Sequence, residues 1–299
     1  MKLTMLKYIL FLLSEAAMHL IDEEKGQIAI ELKDNGAVGI FKQMGSSGGK
    51  PCDTEVLGNE EWVIEAKRNC TLAVTDDPVI FSKRYTEGFY VVVYYHEENR
   101  NQSFPGAAYG MEDLPAVEYD SYEKAFRRLA GLPWDIWETR RMKVRESIPE
   151  DVNEFYRIYS DPSITFFMEN LYADREMEVE YVKAYIKQVY GFYGFGLWTV
   201  MDKESGQIIG RAGLNVREGY ELPELGFVID VEHQGKGYAF EVCSAILDYA
   251  ENVLEFEAVQ AFVDENNRVS IHLLQKLGFV FVGEARAERR YRLYVKILK

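Results

Sequence analysis

The run Glu224-Leu-Gly-Phe-Val-Ile-Asp-Val-Glu-His-Gln-Gly-Lys-Gly-Tyr-Ala-Phe-Glu241 constrains the fold more than any other stretch of this chain. An apolar segment, Leu225 to Val231, leads straight into Gln234-Gly235-Lys236-Gly237-Tyr238-Ala239, and a helical pattern follows from Phe240 to Leu254. A strand, a glycine turn and a helix N-terminus in succession build an anion site. Small residues let backbone N–H groups converge, and the helix end adds partial positive charge. A pyrophosphate suits such a site. The turn lacks the Lys-Ser/Thr that a P-loop needs after its second glycine, and it lacks the three glycines of the dinucleotide fingerprint.

Gln234, Gly237 and Ala239 fill the defining places of a Gln/Arg-x-x-Gly-x-Gly/Ala loop. Further on lies Val263-Asp-Glu-Asn-Asn267-Arg-Val-Ser270-Ile-His-Leu-Leu-Gln-Lys-Leu-Gly278-Phe279, an Asn-x-x-Ser signature followed by a helical pattern and Leu-Gly-Phe. With both motifs in this order, the chain resembles the GNAT superfamily of N-acetyltransferases over roughly Lys143 to Lys299. The resemblance implies an α/β (α+β) fold with a mixed, mostly antiparallel central sheet flanked by helices. It implies acetyl-CoA as cosubstrate and a primary amine as acceptor, either a small molecule or a protein N-terminus. The amine would attack the thioester directly in a ternary complex. Main-chain groups of Phe227, Val228, Ile229 and Val231 would bind the pantetheine arm. Gln234, Gly235, Lys236, Gly237, Tyr238 and Ala239 would hold the pyrophosphate, and Asn267 would hydrogen-bond the pantetheine. Asn267 also suits a helix cap, and both roles can hold together.

Acetyl transfer needs a base for the amine and stabilisation of the departing thiolate. Many family members place a glutamate where Glu224 stands; Glu221 is the alternative base. Glu224 could instead pair with a cation on a neighbouring strand, such as Arg211. The tyrosine that commonly protonates the thiolate is replaced by Leu274, a departure that resembles the RimJ/RimL subgroup. That resemblance gives Ser270 the role of hydrogen-bonding the sulfur; capping of its helix is the alternative. The acceptor pocket is expected between the loop Ser160–Tyr172 and the hairpin tip near Arg217–Leu222, with Phe166, Phe167, Met168 and Tyr172 as walls. Tyr181, Tyr185 and Val189 share one helical face and read as packing. Cys243 reads as core.

A net charge of −15 argues against a duplex nucleic-acid partner and is compatible with a cationic acceptor. The three cysteines (Cys52, Cys70, Cys243) are widely spaced and form neither a disulfide framework nor a metal pattern, which points to a reducing cytoplasm. No metal cluster is expected among the scattered histidines. The apolar stretch Tyr8–Leu13 is too short to span a bilayer, so no membrane partner is expected. A homodimer is compatible with the sequence.

Two domains are expected, 1–140 and 141–299, divided near Leu132–Arg141. The first reads as a smaller α/β domain with a parallel crossover and no catalytic role. It is expected to have a helix near Leu3–Ile21, a strand near Gln27–Leu32 and helices at Asn59–Lys67 and Tyr122–Leu129. Strands are expected at Thr71–Thr75, Phe89–Tyr95 and Ala107–Gly110. Asp77 and Pro78 open a further helix that ends before Gly88, with Asp76 as its cap. The order resembles the last part of a haloacid-dehalogenase-like fold, but the Asp-x-Asp nucleophile motif of that family is absent from Met1 to Met44. In the second domain, Ser147 and Glu150 are expected to form a capping box for a helix Pro149–Tyr159. An acyl-CoA sensor without turnover is the alternative function.

Overall fold

A computed structural model describes residues 5–44, 68–285 and 291–299. The chain forms two compact units, Met1–Leu132 and Pro133–Lys299. The division falls before residue 140 because Asp135–Glu138 is already a strand of the second sheet.

In the first unit, β1 (Tyr8–Ser14), β2 (Val38–Met44), β3 (Thr71–Thr75), β4 (Tyr90–Tyr94) and β5 (Gly110–Met111) make a parallel sheet in the order β2-β1-β3-β4-β5. Helices α1 (Glu15–Leu20), α2 (Lys25–Asp34), α3 (Pro78–Thr86) and α4 (Tyr119–Leu129) accompany it. Within the expected helix over residues 3–21, Tyr8–Ser14 is instead the strand β1 and only Glu15–Leu20 is helical, while residues 3 and 4 lie outside the described residues. Ile9, Phe11 and Leu13 pack into one core, while Leu10 and Leu12 pack into another. A parallel strand buried on both faces is apolar throughout and loses the alternation that would mark it. The expected strand Gln27–Leu32 lies inside α2, where Ile28 and Leu32, one turn apart, are its buried residues. The expected helix Asn59–Lys67 lies outside the described residues.

Asp77, not Asp76, caps α3, accepting from the N–H groups of Val79 at 2.7 Å and Ile80 at 3.0 Å. Asp76 instead ties strand ends together. It accepts from Ser14 N at 2.8 Å and Ser14 Oγ at 2.6 Å, and stands 3.2 Å from His96 Nε2.

The second unit holds an eight-stranded sheet ordered β12-β13-β11-β10-β9-β8-β7-β6. Its strands are β6 (Asp135–Glu138), β7 (Met142–Arg145), β8 (Leu197–Asp202), β9 (Ile208–Asn215), β10 (Glu224–Ile229), β11 (Ala258–Asp264), β12 (Val280–Glu284) and β13 (Tyr291–Ile297). Every pairing is antiparallel except β10 with β11, which gives the mixed sheet the motifs imply. Helices α5 (Val152–Tyr159) and α6 (Arg175–Tyr185) are followed by a π turn over Ile186–Tyr190. Helices α7 (Tyr238–Asn252) and α8 (Arg268–Lys276) follow the central strands. α7 buries Val242, Cys243, Ile246, Leu247 and Ala250 in the same cluster as Ala212, Leu214, Leu225 and Ile229. Phe155, Ile158 and Tyr159 of α5 pack against Val228 on the opposite face. Alternate strand residues face opposite ways, so β10 shows Leu225 and Ile229 to α7 and Val228 to α5.

The expected Ser147–Glu150 capping box does not form. The Asp151 carboxylate accepts from Ile148 N at 3.0 Å, while Ser147 is buried with Thr199 Oγ1 at 2.9 Å. Arg145 grips Asp151 with both terminal nitrogens at 2.7 Å, which draws the acid away from a simple capping role.

Candidate active site

The strands β10 and β11 meet at one residue pair, Glu224 with Gln260. Gln260 fastens this point, its N–H donating to Pro223 O at 2.9 Å and its side-chain amide to Leu222 O at 2.5 Å. Beyond it no further residue of β10 pairs with β11, so the parallel strands diverge. The β11-facing backbone groups of residues 225–228 are thereby left open, and an open strand edge accepts an extended, amide-bearing chain by the hydrogen bonds a sheet neighbour would make. Phe227, Val228 and Ile229 end this strand, with the Phe227 backbone groups on the β11 side, and Val231 follows in a short 3₁₀ turn.

The glycine loop stands at the end of β10. Gly235 (φ 70°) and Gly237 (φ 82°) both occupy the left-handed region, which is strained for residues bearing a Cβ. Gly237 is the residue that turns the chain into α7, and the first N–H groups of that helix lack intrahelical acceptors. Gln234 fixes the loop to the strand it leaves, donating from Nε2 to Ile229 O at 2.8 Å. Lys236 is exposed, and the Tyr238 hydroxyl donates to Asp202 Oδ2 at 3.1 Å.

Several supports of this loop escape sequence reasoning. Arg141 donates from Nη1 to Lys236 O at 2.9 Å and from Nε to Glu241 Oε2 at 2.7 Å, and its guanidinium lies 4.1 Å from the Tyr238 ring centroid. Burial pushes the Glu241 carboxyl up, but hydrogen bonds from Thr139 and Arg141 outweigh this and hold it below the usual carboxylate range. Asp230, buried just after β10, accepts from Arg157 Nη1 at 2.6 Å. These partners are far apart in sequence, and no local pattern announces them.

On the α5 face of β10, Glu224 has its carboxylate engaged by Arg217, with Nε 2.6 Å from Oε2 and Nη2 3.0 Å from Oε1. The cation beside Glu224 is thus Arg217 from the β9–β10 connection rather than Arg211. The Glu224 hydrogen bond raises Arg217 above its ordinary range. Each carboxylate oxygen keeps a second lone pair, so Glu224 can still accept from a water. Glu221 is exposed in the preceding loop. Asn267 caps α8, its Oδ1 accepting from Ser270 N at 3.1 Å, which leaves its amide N–H groups to donate elsewhere. Leu274 is buried in the core with Leu277 and Phe279. Cys243 is buried there too, and burial pushes its thiol well above the usual range.

The expected acceptor walls divide. Met168 packs against the Phe155 cluster, whereas Phe166 is 72% exposed and touches Phe167 edge-on. Tyr172 meets Tyr181 edge-on, with ring centroids 5.8 Å apart, and Tyr181 meets Tyr185 in a tilted contact at 6.0 Å. Tyr185 accepts from Leu197 N at 2.8 Å and donates to Asn215 Oδ1 at 3.1 Å. Burial pushes its hydroxyl up to about 12. Among the described residues no group of three or more His, Cys, Asp or Glu side chains could hold a metal ion, and no helix is long and apolar enough to cross a membrane.

The acetyltransferase (GNAT) domain family matches residues 141–280. Among curated proteins, the chain is 31% identical over 126 residues to the uncharacterized protein YkkB of Bacillus subtilis, covering 42% of this chain and 72% of that protein. It is 26% identical over 144 residues to the spermidine N(1)-acetyltransferase of Escherichia coli, covering 48% of this chain and 75% of that protein. It is also 34% identical over 107 residues to the [ribosomal protein uS5]-alanine N-acetyltransferase of the same organism, covering 35% of this chain and 53% of that protein.

Proposed function

The chain belongs to the GNAT acetyltransferase family, and on that premise we propose that it transfers the acetyl group of acetyl-CoA to a primary amine by direct attack in a ternary complex. The observation that carries this reading is the single-pair contact between β10 and β11 beside a glycine loop that opens a helix. The strand end Phe227–Ile229 takes the pantetheine amides, and Gln234–Ala239 takes the pyrophosphate. Asn267 adds a donor to the pantetheine.

The amine lone pair attacks the thioester carbonyl carbon, and the carbon–sulfur bond then breaks to release the thiolate. The proton lost by the amine passes to a water held on a free lone pair of Glu224. Ser270 lies in the first turn of α8 and offers its hydroxyl to the departing sulfur. The buried thiol of Cys243 takes no part, and the first unit has no catalytic role. Likeness to the ribosomal-protein alanine acetyltransferase supports a RimJ/RimL-like placement.

Calorimetry with CoA, followed by thiol release from acetyl-CoA with a panel of amines, tests the reading. We expect binding and amine-dependent release. Absence of CoA binding would sink it, and binding without release from any amine would leave a CoA sensor in its place.

A further inference from the structure

Arg211 lies in the middle of β9, directly opposite Val228 on β10. Residues opposite each other on neighbouring strands are about 5 Å apart and share a face of the sheet. Arg211 therefore stands one strand away from the opened edge of β10, on the α5 side. It is only 7% exposed, and its guanidinium sits 4.5 Å from the Phe155 ring centroid.

The other buried or half-buried arginines of this region have carboxylate partners: Arg145 with Asp151 at 2.7 Å and Arg157 with Asp230 at 2.6 Å. Arg211 has none among the described residues, and its buried Nε has no hydrogen-bond partner there. The phenols of Tyr159, Tyr181, Tyr185 and Tyr190 lie within electrostatic reach of the guanidinium. Tyr185 and Tyr190 are committed to backbone and side-chain groups at the start of β8 and nearby. The hydroxyls of Tyr159 and Tyr181 make no hydrogen bond among the described residues.

A buried, unpaired guanidinium is expensive, because the charge gives up water and gains no anion. The ring face of Phe155 recovers part of that cost. A fork of N–H donors with free phenol hydroxyls around it is the chemistry that receives a carboxylate. We propose that Arg211 is the anion-recognition residue of the acceptor site, and that the amine acetylated here carries a carboxylate a few atoms from its nitrogen, as an α-amino acid does. The inference rests on the acetyl-transfer reading above and names the acceptor class within it. It reverses locally the sign of the whole chain, whose net charge is −15, because the buried group at this point is a cation. A zwitterionic acceptor suits both.

The test compares free amino acids with their carboxamides, together with spermidine, in a thiol-release assay at pH 8. The amine of the carboxamide is less basic, so more of it is neutral and intrinsic reactivity favours the amide. We expect the wild-type protein to prefer carboxylates at least tenfold in kcat/KM. Arg211→Met keeps a long unbranched side chain next to Phe155 and removes the charge. That preference should fall about 10- to 100-fold, as expected for losing hydrogen bonds to a charged group. CoA affinity and thermal stability should be retained or improved, since an unpaired buried charge has been removed.

Arg211→Lys, which keeps the charge and loses the fork, should lie between the two. A wild-type preference for carboxamides or spermidine overturns the inference and leaves acetyl transfer standing, and it does so without any variant. So does an unchanged carboxylate preference in Arg211→Met. CoA binding with no transfer to any carboxylate also counts against it. Absence of both CoA binding and thiol release removes the underlying reading, and this inference with it.

Discussion

At the scale of single residues, the glycine turn after β10 is legible because its conformation is local. Gly235 and Gly237 hold left-handed backbone, and Gln234 reaches only as far as Ile229. The cations were not legible, because Arg141, Arg157 and Arg217 find partners that only the fold brings near. Two substitutions separate these roles. In Gly237→Val, a β-branched residue must adopt φ 82° at the start of α7. This should cost about 1–3 kcal/mol of stability. CoA affinity should fall at least tenfold, about 1.4 kcal/mol, as read by calorimetry. An unchanged affinity would mean that the loop does not carry the pyrophosphate. In Glu224→Gln, the shape facing Arg217 is kept and the proposed base is lost. Turnover with a weakly basic amine should drop about 10²-fold or more, with acetyl-CoA affinity little changed. Coincident pH profiles for mutant and parent would reduce Glu224 to the Arg217 ion pair.

Elements were legible where one face is wet and obscure where both are dry. Helices α3, α4 and α7 fall close to their expected ranges. The apolar run Tyr8–Leu13 has no polar face to report its period, and the helix α2 is short with few buried positions. The π turn after α6 was invisible for another reason: its sequence is ordinary helix, and the extra residue is set by where Tyr185 and Tyr190 must point. Tyr190 is buried and bonds to Leu197 O and Ser147. That arrangement predicts alkaline sensitivity. Burial raises the Tyr185 hydroxyl from the ordinary 10.0 to about 12. A raised pKa means the folded state keeps its proton while unfolded tyrosines ionise. The stability involved is present below pH 10 and is lost as pH climbs toward 12. Denaturant unfolding at pH 9 and pH 11.5 should show that loss, and Tyr185→Phe should diminish it. Tyr185→Phe should also cost about 1–3 kcal/mol at neutral pH, because Leu197 N loses its acceptor. A pH dependence identical in the variant would show that other groups govern the alkaline limb.

For the whole molecule, the sequence separates two halves near Leu132–Arg141, and the structure divides them at Leu132/Pro133, the early end of that range, because β6 already begins at Asp135. Trp137 on β6 packs edge-on to Trp198 with centroids 5.0 Å apart, and against Tyr249 at 5.0 Å. Trp134 supplies an N–H to the buried Glu146 carboxylate at 3.0 Å and a carbonyl to Glu146 N at 2.9 Å. A fragment Pro133–Lys299 keeps these contacts and has its own sheet and core, so it should fold alone and bind CoA as the full chain does. A fragment beginning at Arg141 loses β6, exposes Trp198 and Tyr249, and takes a backbone donor from Glu146. Removing a packed tryptophan alone costs about 3–5 kcal/mol, a large share of the roughly 5–15 kcal/mol that holds a domain together. The shorter fragment should therefore unfold at markedly lower temperature or fail to fold, and adding back residues 133–140 should restore it. Equal melting temperatures for the two fragments would show that β6 is an ornament of the sheet. CoA binding by the full chain but not by Pro133–Lys299 would show that the first unit contributes to the site.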